Sequence, residues 1–260
     1  MKNTNIAILT LILCSATAFA QGDFKEGVRW YNQRTSGATG LKAKQEHIDK
    51  AIAHFQKSMS IKSHELESGI YLMRSYIFKA RFTQDSDSDK RKTFQLAKEI
   101  GDRLVPKYPI SKELRFEYLS SLGQWGEVLG VFRAAKEGVV DKVRAEMETL
   151  VKLDPEFRNA VGERSLAVLN LRVPKIPFIL SWPDKKKSLQ MTSSIIRRYP
   201  DDIGNNIYHA EALIENGREK EAITYLQRAL SMQPEQEYLL EDRHFHFEAK
   251  QMLARVKSSN

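Results

Sequence analysis

The sequence predicts an all-α fold, a solenoid of antiparallel helix pairs with about a dozen helices. Three observations predict it. Apolar residues recur at helical spacing along most of the chain, while strand signals are scarce. Successive segments close at Ser63, Pro109, Pro155, Pro200 and Pro234. Small residues stand at repeated offsets before these closures, most clearly Ala222 and Ala229 before Pro234. Such a chain is a stack in which each unit contacts mainly its neighbours, so residues 21–260 are expected to form a single helical domain despite their length.

The clearest unit runs from Ile203 to Pro234. Two helices that cross closely need small side chains where their backbones approach, and Ala210 facing Ala222 and Ala229 meets that need. Gly217 is the expected end of the first helix, where a residue with positive φ costs glycine least. Pro234 cannot continue the second helix. These positions resemble a tetratricopeptide (TPR) repeat, a helix-turn-helix unit of roughly 34 residues.

The N-terminus is expected to lie outside the fold. Lys2 gives a short positive region, Ile6 to Leu13 an apolar one, and Ala18-Phe19-Ala20 a small-x-small cleavage site before Gln21. Residues 1–20 therefore read as a secretory signal peptide, and the protein as periplasmic. The apolar run is too short for a stable membrane span. The only cysteine, Cys14, is preceded by Leu13, which fits lipid attachment badly. A net charge of +8 would favour nucleic acid in a cytoplasmic protein, but not in an exported one. Lysine and arginine then solvate the outer helix faces, or attract an anionic membrane or an acidic partner.

From the start of the mature chain, Phe24, Val28 and Tyr31 mark a short helix over Asp23–Gln33, followed by a loop over Thr35–Gly40. Leu41–Ile61 is read as helical, with Ala51, Phe55 and Ser58 in the packing positions of a second repeat helix. Leu66–Phe82 follows. Asp85–Asp89 is a polar loop able to cap the helix Lys90–Val105. It lacks the glycine and terminal glutamate of a calcium loop. Lys112–Leu122 and Gln124–Ala135 are expected to pair around Gly123. Val139–Leu153 and Glu156–Leu171 come next. The regular spacing then breaks, because the partner helix, Lys185–Tyr199, begins only after the segment Arg172–Pro183. A final helix around Asp242–Val256 carries Phe245, Ala249, Met252, Leu253 and Val256 on one stripe and would cap the stack.

The insertion is the feature that invites a functional reading. Pro174, Pro177 and Pro183 stiffen it, and Ile176, Phe178, Ile179, Leu180 and Trp182 make it apolar for a loop. Either it folds back to fill the gap in the broken repeat, or it lines a pore, ligand groove or subunit contact, or it meets a membrane surface. Phe178 and Trp182 are its candidate contact residues. Tyr208 and Tyr225 are candidates in the clear repeat, either for holding an extended peptide or for ordinary packing.

The C-terminal half also resembles the T-component proteins associated with TRAP transporters, the TatT family. Pro155, Arg164-Ser165-Leu166-Ala167, the insertion ending in Trp182-Pro183-Asp184, Lys187-Ser188-Leu189, Gly217–Ala222, Glu241-Asp242 and Glu248-Ala249 carry the resemblance. It covers residues 138–257 well and the first half loosely. It implies a periplasmic scaffold that associates with a solute-binding protein, forms an oligomer with a central pore or groove, and serves a small organic or hydrophobic ligand. The leader departs from that family in its poor lipid-attachment site, and Ala167 stands in place of an expected glycine. A general cell-envelope TPR adaptor that binds peptide segments of assembly proteins is the alternative.

No catalytic constellation is legible. The sequence has no Gly-x-Ser-x-Gly, no phosphate-cradling glycine loop and no His-Glu-x-x-His. His244 and His246 are two residues apart and diverge on a helix. His47 and His54 could share a face but have no third ligand nearby. His209 reads as a groove or core histidine. Neither cofactor nor metal is expected, and an enzyme is the least supported class.

Overall fold

The computed structural model describes residues 21–176, 178 and 180–258. The expected leader, residues 1–20 with Cys14, lies outside them. Twelve α-helices and no β-strand occur among the described residues. Packing divides the chain into two compact units, one up to Val128 and one from Leu129.

The first unit holds α1 (residues 21–32), α2 (Gln45–Met59), α3 (Glu65–Phe82), α4 (Asp87–Leu104) and most of α5 (Lys112–Leu129). α2 begins four residues later than the sequence suggests. Thr39 and Lys42 exchange backbone hydrogen bonds of 2.9 and 3.0 Å, and this tight turn uses up the start of the expected helix. Ile48, Ala51, Ile52, Phe55 and Ser58 then form the buried stripe of α2, and the Ser68 hydroxyl of α3 donates to that of Ser58 at 2.8 Å. α3 is buried on more than one face, because α2 and α4 pack on it from different sides. The Ser86 hydroxyl accepts from the Asp89 amide and caps α4.

The close crossings of this unit use a large residue against a glycine. A Cβ added at Gly69 on α3 would stand 2.3 Å from Leu104 Cδ1 on α4. One added at Gly101 on α4 would stand 2.0 Å from the Tyr118 ring on α5. Ala97 keeps the small size seen in the clear repeat, but Leu104 takes a position that is small there, and Gly69 opposite makes room for it.

The expected turn at Gly123 is not present. α5 runs unbroken through Gly123 to Leu129, and the chain turns instead at Gly130, whose φ is +90°. A short helix, α6 (Val131–Lys136), follows. The backbone geometry at Gly130 is one that side-chain-bearing residues rarely adopt, whereas glycine inside a helix costs only about 1 kcal/mol.

The second unit continues with α7 (Val139–Leu153), α8 (Phe157–Arg172), α9 (Lys185–Arg198), α10 (Ile203–Ile214), α11 (Glu219–Ser231) and α12 (Leu239–Ser258). Consecutive helices pack on one another, and α10 also touches α8 and α12. Ala210, Ala222, Leu226 and Ala229 share a fully buried core with Ile207, Leu213 and Ala249. Gly217 has φ +73°, its amide bonds to Ile214 O at 3.0 Å, and the Arg218 amide bonds to Leu213 O at 2.9 Å. These two bonds close a Schellman motif at the predicted helix end.

α8 and α10 are tied at their starts. Arg158, Asn159 and Ala160 have φ of 46°, 57° and 61°, so the regular part of α8 begins at Val161. The Asp202 side chain accepts from the Asn205 amide at 2.8 Å and caps α10. The same carboxylate accepts from Arg164 at 2.9 Å and from the Asn159 side chain at 3.0 Å. Arg164 also donates to Asn205 Oδ1 at 2.9 Å.

Candidate functional site

In the second unit, α8, α10 and α12 are the first helices of successive pairs. Repeat stacks present such a row as an extended binding surface. The end of α8 supplies Arg172, whose Nε and Nη2 donate to the two Glu211 carboxylate oxygens of α10, both at 2.8 Å. This fork-to-fork pair fixes the guanidinium plane. Burial works against the Arg172 charge, but the Glu211 carboxylate outweighs it and raises the arginine pKa. The guanidinium carbon stands 5.4 Å from the Tyr208 ring centroid. Tyr208 in turn meets Phe245 of α12 edge to face, with centroids 5.7 Å apart and planes at 87°. Glu248, one helical turn beyond Phe245, adds a negative charge to the same cluster.

Tyr208, Phe245 and Glu248 are each half-buried. The row therefore combines aromatic edges with a locked ion pair and remains partly open to solvent. Burial raises the Tyr208 pKa, so its hydroxyl stays protonated and can donate. The arrangement can hold a chain segment by aromatic contact and by hydrogen bonds to fixed charges.

The other candidates from the sequence lie elsewhere. Tyr225 is on α11, edge-on to the His209 ring at 4.5 Å. His209 is buried and shares a 3.0 Å hydrogen bond with the Thr192 hydroxyl of α9. Burial lowers its pKa to about 4, so it is neutral at neutral pH. Trp182 donates its indole N–H to Asp141 of α7 at 3.3 Å, and the Arg144 guanidinium lies 4.6 Å from its ring centroid. The end of the insertion is thereby braced on α7. Leu180 is fully buried. Phe178 is fully exposed, with φ +65°, between the bridged residues Ile176 and Leu180. The structure thus brings Tyr208 into a cluster and separates it from Tyr225, Trp182 and Phe178.

Arg172, Glu211, Phe245 and Glu248 were missed as site residues by sequence reasoning. Phe245 was legible only as part of an apolar stripe. His246 Nε2 lies 3.0 Å from the Ala229 carbonyl oxygen, and His244 lies 3.7 Å from Glu248. Among the described residues no group of three His, Cys, Asp or Glu side chains is placed to hold a metal ion.

Residues 209–236 match the tetratricopeptide repeat family. They span the second half of α10, all of α11 and the closing Pro234. The crystal structure of TTC0263, a thermophilic TPR protein in Thermus thermophilus, superposes with a TM-score of 0.61. The two share 14% identity, and the match covers 90% of this chain and 99% of that one. The P58(IPK) TPR domain matches with a TM-score of 0.31 and 14% identity, over 81% of this chain and 53% of that one. No curated protein matches the sequence. The chain is an all-α, TPR-like solenoid of helix pairs.

Proposed function

We propose that the protein is a non-catalytic interaction scaffold of the bacterial cell envelope that docks a protein partner along the row α8–α10–α12. The particular partner we propose is the periplasmic solute-binding protein of a TRAP transporter, with this chain acting as a T-component that serves a small organic or hydrophobic ligand. The family resemblance over residues 138–257 supports that choice of partner. The observation that carries a docking role is the cluster Arg172–Glu211–Tyr208–Phe245, in which a fixed ion pair and two aromatic rings from three helices meet on a partly open face. Such clusters of aromatic and arginine side chains are what partner interfaces concentrate their binding energy on.

Export is part of the same reading, with residues 1–20 removed before Gln21. The N-terminal residue of protein isolated from the periplasm checks it directly. Light scattering measures whether the chain forms the oligomer that the resemblance implies.

The test of the partner is co-purification of the tagged chain with the solute-binding protein, followed by binding of the purified pair. Tyr208→Ala and Phe245→Ala together are expected to weaken binding at least about tenfold. Capture of peptide segments from unrelated envelope proteins, without the solute-binding protein, would replace this reading with that of a general envelope adaptor. Turnover of any substrate by the purified chain would sink both.

A further inference from the structure

The insertion between α8 and α9 has an unusual apex. Leu180 is fully buried, yet Phe178, two residues before it, is fully exposed. Backbone hydrogen bonds of 2.9 and 2.7 Å join Ile176 and Leu180 in both directions, so the apex is closed as a small reverse turn. Phe178 sits there with φ +65°, a left-handed conformation that bulky residues avoid. The bridge fixes the two ends of the turn that carries the ring. Downstream, Trp182 is clamped by Asp141 and Arg144 of α7. An aromatic ring is thus held out in water by a braced support.

The charges around that support are predominantly positive. Lys175, Lys185, Lys186 and Lys187 are all exposed. Lys185 is paired with Glu215 at 2.7 Å. Among the described residues, Lys175, Lys186 and Lys187 make no ion pair. The neighbouring Asp184 is occupied in capping α9, accepting from the Lys186 and Lys187 amides at 2.8 and 3.1 Å. Lys175 and Lys186 both lie within electrostatic reach of that carboxylate.

We propose that this apex is a peripheral membrane contact, in which Phe178 enters the interface of an anionic bilayer while Lys175, Lys186 and Lys187 meet lipid phosphates. Phenylalanine side chains on a lysine-rich surface bury at the boundary between headgroups and acyl chains. Lysines on flexible stems act as point charges that follow mobile phosphates, whereas a fixed protein carboxylate is better matched by the fork of an arginine. No described helix is long and apolar enough to cross a membrane, so the contact is peripheral. With one ring and three lysines it is weak and reversible, and a second attachment through a membrane-bound partner would strengthen it. The inference is independent of which protein docks on α8–α10–α12.

The purified chain is sedimented with vesicles of equimolar phosphatidylglycerol and phosphatidylcholine, and with phosphatidylcholine alone. Variants carry the same N-terminus, so any contribution of residues 1–20 cancels. Binding is expected only to the anionic vesicles and should fall steeply in about 0.5 M salt. Phe178→Ala should reduce partitioning roughly tenfold and the triple change K175E/K186E/K187E at least about a hundredfold, both with unchanged circular dichroism. F178W should show a blue shift in emission on anionic vesicles. Equal binding of wild type and F178A, equal binding to both vesicle types, or no binding by wild type would each overturn the proposal. If F178A instead loses capture of the solute-binding protein and vesicle binding is unaffected, the apex is a protein contact and not a lipid one.

Discussion

The ring of Tyr118 fills the space that a side chain at position 101 would need. A Cβ there would stand 2.0 Å from a ring carbon, and Tyr118 is 2% exposed, with its hydroxyl bonded to Asp102. Gly101→Ala is therefore expected to destabilise the first unit by about 1–3 kcal/mol, even though alanine is the better helix former. Tyr118→Leu should recover part of that loss in the G101A background while being harmful alone. Chemical denaturation of the four proteins measures the coupling. Additive effects would show that the ring can move aside.

Two glycines distinguish a helix interior from a helix end. Gly123 lies inside α5 with nothing within 4 Å of an added Cβ. Gly123→Ala should raise stability by about 0.5–1 kcal/mol through helix propensity and a less flexible unfolded chain. Gly217, at φ +73°, closes α10, and Gly217→Ala should cost about 1 kcal/mol despite open space around it. Thermal or denaturant midpoints check both. A destabilising G123A would mean that α5 breaks there after all.

Two buried titratable groups push stability in opposite directions over one pH range. Burial raises the Asp242 carboxyl to about 6 despite the Glu235 amide that donates to it at 2.8 Å. The folded state therefore binds its proton more tightly than the unfolded state, and this stabilisation is lost as pH rises from about 4 to 6. Burial lowers His209 to about 4, so its contribution is complete above about 6.5 and is lost as pH falls toward 4. Each is worth at most about 3 kcal/mol, and the two nearly cancel in wild type. Asp242→Asn should leave stability rising with pH across this window, and His209→Gln should leave it falling. Unfolding free energies between about pH 4 and 7 test this, and parallel profiles for the two variants would contradict it.

Trp182 braces the insertion on α7. Trp182→Ala should destabilise the second unit by about 1–2 kcal/mol, from lost apolar contact and the lost indole hydrogen bond. A cycle with Arg144→Ala should show coupling of about 0.5–1 kcal/mol from the cation lying 4.6 Å from the ring centroid. Near-zero coupling would mean that the guanidinium contributes nothing there. An unchanged fold that loses its partner would instead make Trp182 a contact residue.

Much of the fold was legible because its signals are local. Asp184, Asp202 and Ser86 are side chains that cap the helix following them, and Gly217 with Pro234 delimits a helix pair. The break after α5 was misplaced because Gly123 and Gly130 look alike in sequence. Only the backbone torsion separates them, and that depends on where the following helix packs. The extra burial of α3 was also hidden, since it comes from neighbours on several sides rather than from one stripe. The candidate docking face was least legible. Tyr208 was identified within its repeat, but Arg172, Glu211 and Phe245 come from three helices, with no short spacing to join them. A charged residue at a helix end and an acid in mid-helix read separately as solvated surface.

Asp202 performs two tasks with one carboxylate, starting α10 and holding Arg164 and Asn159 of α8. In many repeat stacks the stability within a unit and the adhesion between units belong to different residues, so units can fray singly from an end. Here the group that begins one helix pair is also the joint to the pair before it. Opening that joint uncaps α10, and uncapping α10 loosens the joint. Residues from Val161 to Ser231 should therefore exchange their slow amide hydrogens as one cooperative block, not as two successive steps.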